Sequence, residues 1–261
     1  MSRWLVAIFV TLGVSLAAQQ LPLEPLRDSG QSVTPAYEGW YKNSDGTITL
    51  LAGYFNRNLT QEVEVPVGPD NHVDPGGPDR GQPTHFLTHR QWGMFTIVVP
   101  GDFPDKKLTW TLVSNGRTMT VPMTLHKDYE ISPFKDEALG NTPPVVQLSG
   151  AKFQGPPRGL AASMATTVGK SIEIQTVVTD DMVIDPRRPA DAQKLSLSWS
   201  RFRGDGLVHF AAPHAATTTA TFDRPGDFII RLQANDVSGE GGGGFQCCWT
   251  SVLIKVTVTS P

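Results

Sequence analysis

From Phe228 to Ala234 every second side chain is apolar: Phe228, Ile230, Leu232 and Ala234, with Ile229, Arg231 and Gln233 between them. The same beat returns in Ile172, Ile174, Thr176 and Val178, in Leu195, Leu197 and Trp199, and in Val252, Ile254, Val256 and Val258. A two-residue period gathers one set of side chains on a single face of an extended strand, whereas a helix would scatter them. Clusters of Gly, Pro and Asp separate the runs. Each strand then has one apolar face, and stacking two antiparallel sheets buries those faces together. Residues 144–261 are therefore expected to form a β-sandwich, with Trp199 in its core beside its in-phase leucines.

The preceding region is patterned more loosely. Ile48–Tyr54, Glu62–Val67 and Met94–Val99 read as strands. Between LTWTLVS and RTMTVPMTL stands Asn115-Gly116, a pair that tolerates the two positive φ angles of a tight hairpin turn. Gly68–Pro83 is so rich in Gly and Pro that an irregular loop is expected there. Residues 36–126 form an N-terminal β-sandwich domain on this reading, and the charged, proline-ended stretch 127–143 is its linker to the second domain. The chain has 25 Gly and 21 Pro with only 18% charged residues, a balance that suits many turns and few amphipathic helices. The expected class is all-β.

Arg3, the apolar run Trp4–Leu16 and the small residues Ala17 and Ala18 have the layout of a signal peptide over residues 1–19, followed by an extended lead-in, 20–35. An exported protein is expected, placed in the periplasm, at the cell surface or outside the cell. No second long apolar stretch follows, so no membrane span is expected after cleavage. A net charge of −3 leaves no basic surplus for phosphates, which argues against nucleic acid as a partner.

The second region carries a recognisable order: NTPPVV at Asn141–Val146, SIEIQTVVTDD, LSLSWSRFRGDGLVHF, TTTATFDRPGDFIIRLQAND and SVLIKVTV. Over about residues 141–260 it resembles the PKD-like and cadherin-like domains of bacterial exported proteins. That resemblance implies an immunoglobulin-like sandwich, and hence two such domains in tandem after the signal peptide. Modules of this kind serve adhesion, spacing and ligand binding alike. YEGWYKNSDGTITLLAGYFNRN in the first region resembles an exported bacterial β-domain with no activity attached to it.

Several residues could carry chemistry. Asp180, Asp181, Asn235 and Asp236 follow two strands whose ends could converge, and cadherin-like relatives hold calcium between domains. Turn formation explains the same residue types, because Asp and Asn bond their own backbone. Trp40, Tyr41 and Trp92 could offer rings to a ligand or fill a core. Adjacent Cys247 and Cys248 are open to three states: two thiols, a vicinal disulfide confined to loop-like backbone, or an intermolecular link; export favours oxidation. His85 and His89, on one face of a strand, would stand about 13 Å apart, too far for one ion. Gly239–Gly244 spells G-x-G-x-x-G but precedes a strand, not the helix a dinucleotide site requires. Asn58-Leu59-Thr60 is a glycosylation sequon. No metalloprotease, serine-hydrolase or P-loop motif is present. The leading expectation is a non-enzymatic structural or adhesion-type binding module with an unknown protein or polysaccharide partner. The alternatives are a carbohydrate-binding protein using the first domain's aromatics, and a hydrolase with a carboxylate site that no motif marks.

Overall fold

The computed structural model describes residues 27–103, 107–184, 186, 189, 193–236 and 247–261. The expected signal peptide and the Gly239–Gly244 run lie outside the described residues. Among the described residues strand follows strand, with one short 3-10 turn at Lys127–Tyr129. Among the described residues no helix is long and apolar enough to cross a membrane.

In the first module β1 (Val33–Lys42), β2 (Ile48–Asn56) and β6 (His89–Val99) form one antiparallel sheet. β4 (Asn71–Asp74), β7 (Lys107–Ser114) and β8 (Arg117–Thr124) form another, and β3 (Val63–Glu64) pairs with β5 (His85–Phe86). Asn115 and Gly116, at φ of 48° and 71°, close the β7–β8 hairpin as their sequence requires. The inner faces meet through large rings: Phe95 of β6 stands edge-on to Trp110 of β7, centroids 4.8 Å apart. Strand β4 lies inside the stretch 68–83 that its Gly and Pro content marks as irregular, and buried Asn71 explains the difference. Its Nδ2 donates to Val65 O and Pro83 O at 2.9 and 2.8 Å, and its Oδ1 accepts the Trp110 indole N–H at 3.0 Å. These bonds satisfy loop carbonyls that could not otherwise be buried. The sequon is closed in the same way. Asn58 is buried, and its Nδ2 donates to Gln31 O and Asn56 Oδ1, so it presents no free amide for glycosylation.

The second module is a two-sheet sandwich. β9 (Val145–Leu148), β10 (Ala151–Gln154), β12 (Ile172–Thr179), β14 (Val208–Phe210) and β15 (Thr217–Phe222) make one sheet in the order β10-β9-β12-β15-β14. β11 (Leu160–Thr167), β13 (Ser196–Arg203), β16 (Gly226–Asn235) and β17 (Trp249–Thr259) make the other in the order β11-β17-β16-β13. β11 runs parallel to β17, and the other pairings are antiparallel. Val146, Ile174, Trp199, Phe222, Phe228, Ile230, Ile254 and Val256 fill the space between the sheets.

The two modules share packing. In β17, Val252, Ile254 and Val256 point into their own sandwich, while Leu253 joins the first module's core together with Phe202 and Ile229. Trp249 packs with Tyr41, Leu51 and Ile131. A strand covered on both faces has no solvent side, which is why the first six residues of β17 are all buried, Thr250 and Ser251 included. Arg203 reaches across to both carboxylate oxygens of Asp79 at 2.8 and 2.9 Å, and Phe202 O accepts the Thr84 N–H at 3.2 Å. The stretch 127–143 is itself part of this packing. Ile131 donates its N–H to Trp40 O at 2.9 Å, and Phe134 lies edge-on to Tyr41.

Candidate functional site

Strands β12 and β16 belong to opposite sheets and end at the same end of the second sandwich. Asp180 and Asp181 follow β12, Asp236 follows β16, and Asn141 and Thr142 enter beside them on the way from the first module. One ligand oxygen from each of Asp180, Asp181 and Asp236 lies within 4.8 Å of the others, and among the described residues this is the one such group of His, Cys, Asp and Glu. Asp181 Oδ2 accepts the Thr142 N–H and hydroxyl at 2.9 and 2.8 Å. Asp180 Oδ2 accepts the Met182 N–H at 3.0 Å, which helps hold Met182 at its positive φ of 57°. Asp236 Oδ1 accepts Asn141 Nδ2 at 2.8 Å.

The Asp180 and Asp236 carboxyls stand within hydrogen-bonding reach of each other. Two carboxylates are both acceptors, so they keep that contact only by sharing a proton or by placing a cation between them. Burial, and then the neighbouring Asp236 carboxylate, push the Asp180 carboxyl up to about 7. A folded-state value above the unfolded one means that the folded chain binds the extra proton. Its contribution to stability is present in full below the unfolded value near 4 and is lost as pH rises through about 7. In EDTA, thermal unfolding is therefore expected at a higher temperature at pH 5 than at pH 8. Asp180→Asn, which needs no proton, should flatten that part of the profile. An identical pH profile in the variant would remove Asp180 as its source.

The donors are all oxygens, and Asp180 Oδ1 is buried with no hydrogen-bond donor facing it. That chemistry fits a hard divalent cation such as calcium, which takes six to eight oxygens and completes its shell with water. The Asn235 amide is engaged by other side chains: it accepts from Gln233 Nε2 at 2.8 Å while donating to Ser196 Oγ. Asn141, absent from the expected set, joins the acids through Asp236. Cys247 and Cys248 adjoin the cluster, bonded to each other across a cis peptide with Cα atoms 3.1 Å apart. Cys248 O accepts the Asp236 N–H at 3.1 Å, and its Sγ touches Asn141 O at 3.6 Å.

The aromatic residues are placed differently from a ligand platform. Trp40 is 6% exposed and donates its indole N–H to His126 O; Tyr41 is 4% exposed. Being neighbours on β1, they face opposite ways, Trp40 into the first core and Tyr41 under Ile131 and Phe134. Neither ring can stack on an external sugar. Trp92 is half-buried and carries the Arg90 guanidinium 3.7 Å from its ring centroid, which caps one of its faces. The histidines serve structure too: His85 bridges Glu62 and Glu64 at 3.0 and 2.7 Å, far from the acidic cluster in sequence.

No protein-family model matches the chain, and no curated protein sequence matches it. Solved structures resemble it weakly. The tandem Ig repeats of Dlar share 9% identity over 88% of this chain and 98% of their own, with a TM-score of 0.32. The PKD domain from the KIAA 1837 protein shares 17% over 44% of this chain and 93% of its own, with a TM-score of 0.26. The fibronectin(III)-like modules of Clostridium thermocellum CbhA share 12% over 87% and 95%, with a TM-score of 0.25. Likeness of this degree assigns no activity or ligand. The fold itself, read from its sheets, is all-β, with a two-sheet sandwich in the second module.

Proposed function

We propose that the chain is an exported, non-enzymatic structural or adhesion-type binding module whose second sandwich is braced by a divalent cation, calcium by its donor set. The convergence of Asp180, Asp181 and Asp236 beside Asn141, at the point where the chain enters the second module, carries this reading. A cation there would neutralise the crowded carboxylates and tie β12, β16 and the entering strand together. The signal-peptide pattern supports export, and the oxidised Cys247–Cys248 pair agrees with an oxidising compartment. A glycosidase reading of the acids is disfavoured by their geometry. Catalytic pairs stand about 5–9.5 Å apart across a sugar bond, whereas carboxylate oxygens of Asp180 and Asp236 crowd within 4.8 Å and Asp236 is fully buried.

Thermal unfolding of the mature protein with EDTA and then with calcium tests the proposal. A ligand that binds only the folded state at about one hundred times its Kd adds about 2.7 kcal/mol. For a chain of this size that is a rise in Tm of roughly 5–10 °C. The rise should vanish in Asp181→Ala and Asp180→Asn, and Asp180→Asn should be no less stable than the parent in EDTA, because it removes a like-charge contact. An unchanged melt on adding calcium would return the three acids to turn formation.

A further inference from the structure

A cleft of about 640 Å³ opens where the two modules meet, and none of the candidate cation ligands lines it. Its volume falls in the range typical of small-ligand sites, roughly 300–1,000 Å³. One wall is the turn between β1 and β2. Asn43 N donates to Thr47 O at 2.9 Å, and Asn43 Nδ2 reaches the Thr47 and Thr49 hydroxyls at 2.9 and 2.8 Å. Asp45 Oδ1 accepts both the N–H and the hydroxyl of Thr47. These bonds fix a row of amide, carboxylate and hydroxyl groups before any ligand arrives. The floor includes Val98 of β6, 57% exposed, which gives the cleft an apolar surface. The opposite wall comes from Phe134 and Arg158, and Thr96 Oγ1 ties it to the first module through Pro157 O at 2.6 Å.

Charge distinguishes this cleft from the rest of the chain. Lys42 and Arg158 against Asp45 leave it one positive charge in surplus, on a chain of net charge −3. Among the described residues neither cation is held in an ion pair. The Arg158 guanidinium lies instead over the Phe134 ring, 5.2 Å from its centroid, with its donors uncommitted to any carboxylate among the described residues. Two exposed cations beside a rigid mixed row of donors and acceptors match a ligand that carries both anions and many hydroxyls.

We propose that the cleft binds an acidic saccharide, a short glycan segment bearing carboxylate or sulfate groups. Lys42 and Arg158 would take the anion, Arg158 by paired N–H donors, while Asn43, Asp45 and Thr47 take sugar hydroxyls over the Val98 floor. This rests on the reading of the chain as a binding module and names its ligand class. The rings expected to bind sugar, Trp40 and Tyr41, are not part of the contact surface; Tyr41 only backs the cleft from beneath.

The test is calorimetric titration of the mature protein in EDTA, so that no cation bridges sugar to protein. The probes are trigalacturonate for carboxylate, a chondroitin sulfate tetrasaccharide for sulfate, neutral cellotriose and an oligoglutamate peptide. Saturable binding of at least one acidic sugar is expected, with cellotriose and the peptide weaker by about tenfold or more. Arg158→Gln and Lys42→Gln should each weaken binding by about tenfold, Arg158→Lys by less, and Lys152→Gln, an exposed lysine on β10, not at all. No binding of either acidic sugar, equal binding of the peptide, or affinity unchanged in both cleft variants would each overturn the proposal. A calcium-dependent Tm rise that persists while sugar binding is absent would leave the braced-module reading standing and remove only this one.

Discussion

Replacing Glu38 by Ala is expected to destabilise the protein by about 3–5 kcal/mol, read from urea or guanidinium unfolding, because it strands buried positive charge. Glu38 lies at a bulge in β1, where the register jumps between Tyr37 and Gly39 and leaves it without a cross-strand partner. Its carboxylate occupies the space a Cβ on Gly53 would need. There Oε1 meets Arg90 Nη2 at 2.7 Å and Oε2 accepts the Gly93 N–H at 2.7 Å. Arg231, 1% exposed, comes from the second module and donates to Ser251 Oγ and to Trp92 O. Burial pulls the Arg231 guanidinium down to about 10, and the Glu38 carboxylate works against that fall. Charges so placed are costly apart and tolerable together. Glu38→Leu combined with Arg231→Met should accordingly cost less than the two single changes added, a coupling that a double-mutant cycle measures. A loss below about 1 kcal/mol for Glu38→Ala would mean that water reaches the network and the charges are not truly buried.

Trp249→Ala is expected to cost a comparable 3–5 kcal/mol, by emptying the space between the modules. The indole is 1% exposed and packs on Tyr41, Leu51 and Ile131. It fits because β6 bulges around Gly93, at φ 55°, where a Cβ would run into the ring. Gly93→Ala should therefore destabilise by about 2–4 kcal/mol through its left-handed backbone and the overlap together. With the indole removed the added methyl has room, so Gly93→Ala with Trp249→Ala should fall short of the sum. Shared packing also implies that both modules unfold in one calorimetric transition. Two separated transitions, with only the later one moved by Trp249→Ala, would contradict the coupling.

Strands with one buried face were legible in the chain. Phe228–Ala234 and Val252–Val258 alternate, and their in-phase residues fill the second core. Asn115-Gly116 marked its hairpin by local chemistry. β11, LAASMATT, was not visible, because an edge strand paired on one side needs no strong alternation. β4 was hidden by Gly and Pro around it, since what holds it is Asn71, whose side chain bonds to Val65, Pro83 and Trp110 in three other segments of the first module. Of the acidic cluster, Asp180, Asp181 and Asp236 could be named from their places after strands. Asn141 could not, because it meets Asp236 across 95 residues of chain, whereas Asn235, named for its place beside Asp236, is bonded to Gln233 and Ser196.

The exposure of the aromatics depended on contacts that no local pattern encodes. Trp40 and Tyr41 look alike as a pair, but a strand divides them between two faces, and the segment 127–143 covers the second. Period and turn chemistry, which act over a few residues, determined from the sequence by itself that the chain is all-β and where most strands run. Only the tertiary structure decided that the two modules share a core, that Glu38 and Arg231 are both buried and feel each other's charge, and that a charged cleft lies between segments far apart in the chain. Those outcomes come from packing sheet faces against each other, and the partners in such packing are set by the whole fold and not by spacing along the chain.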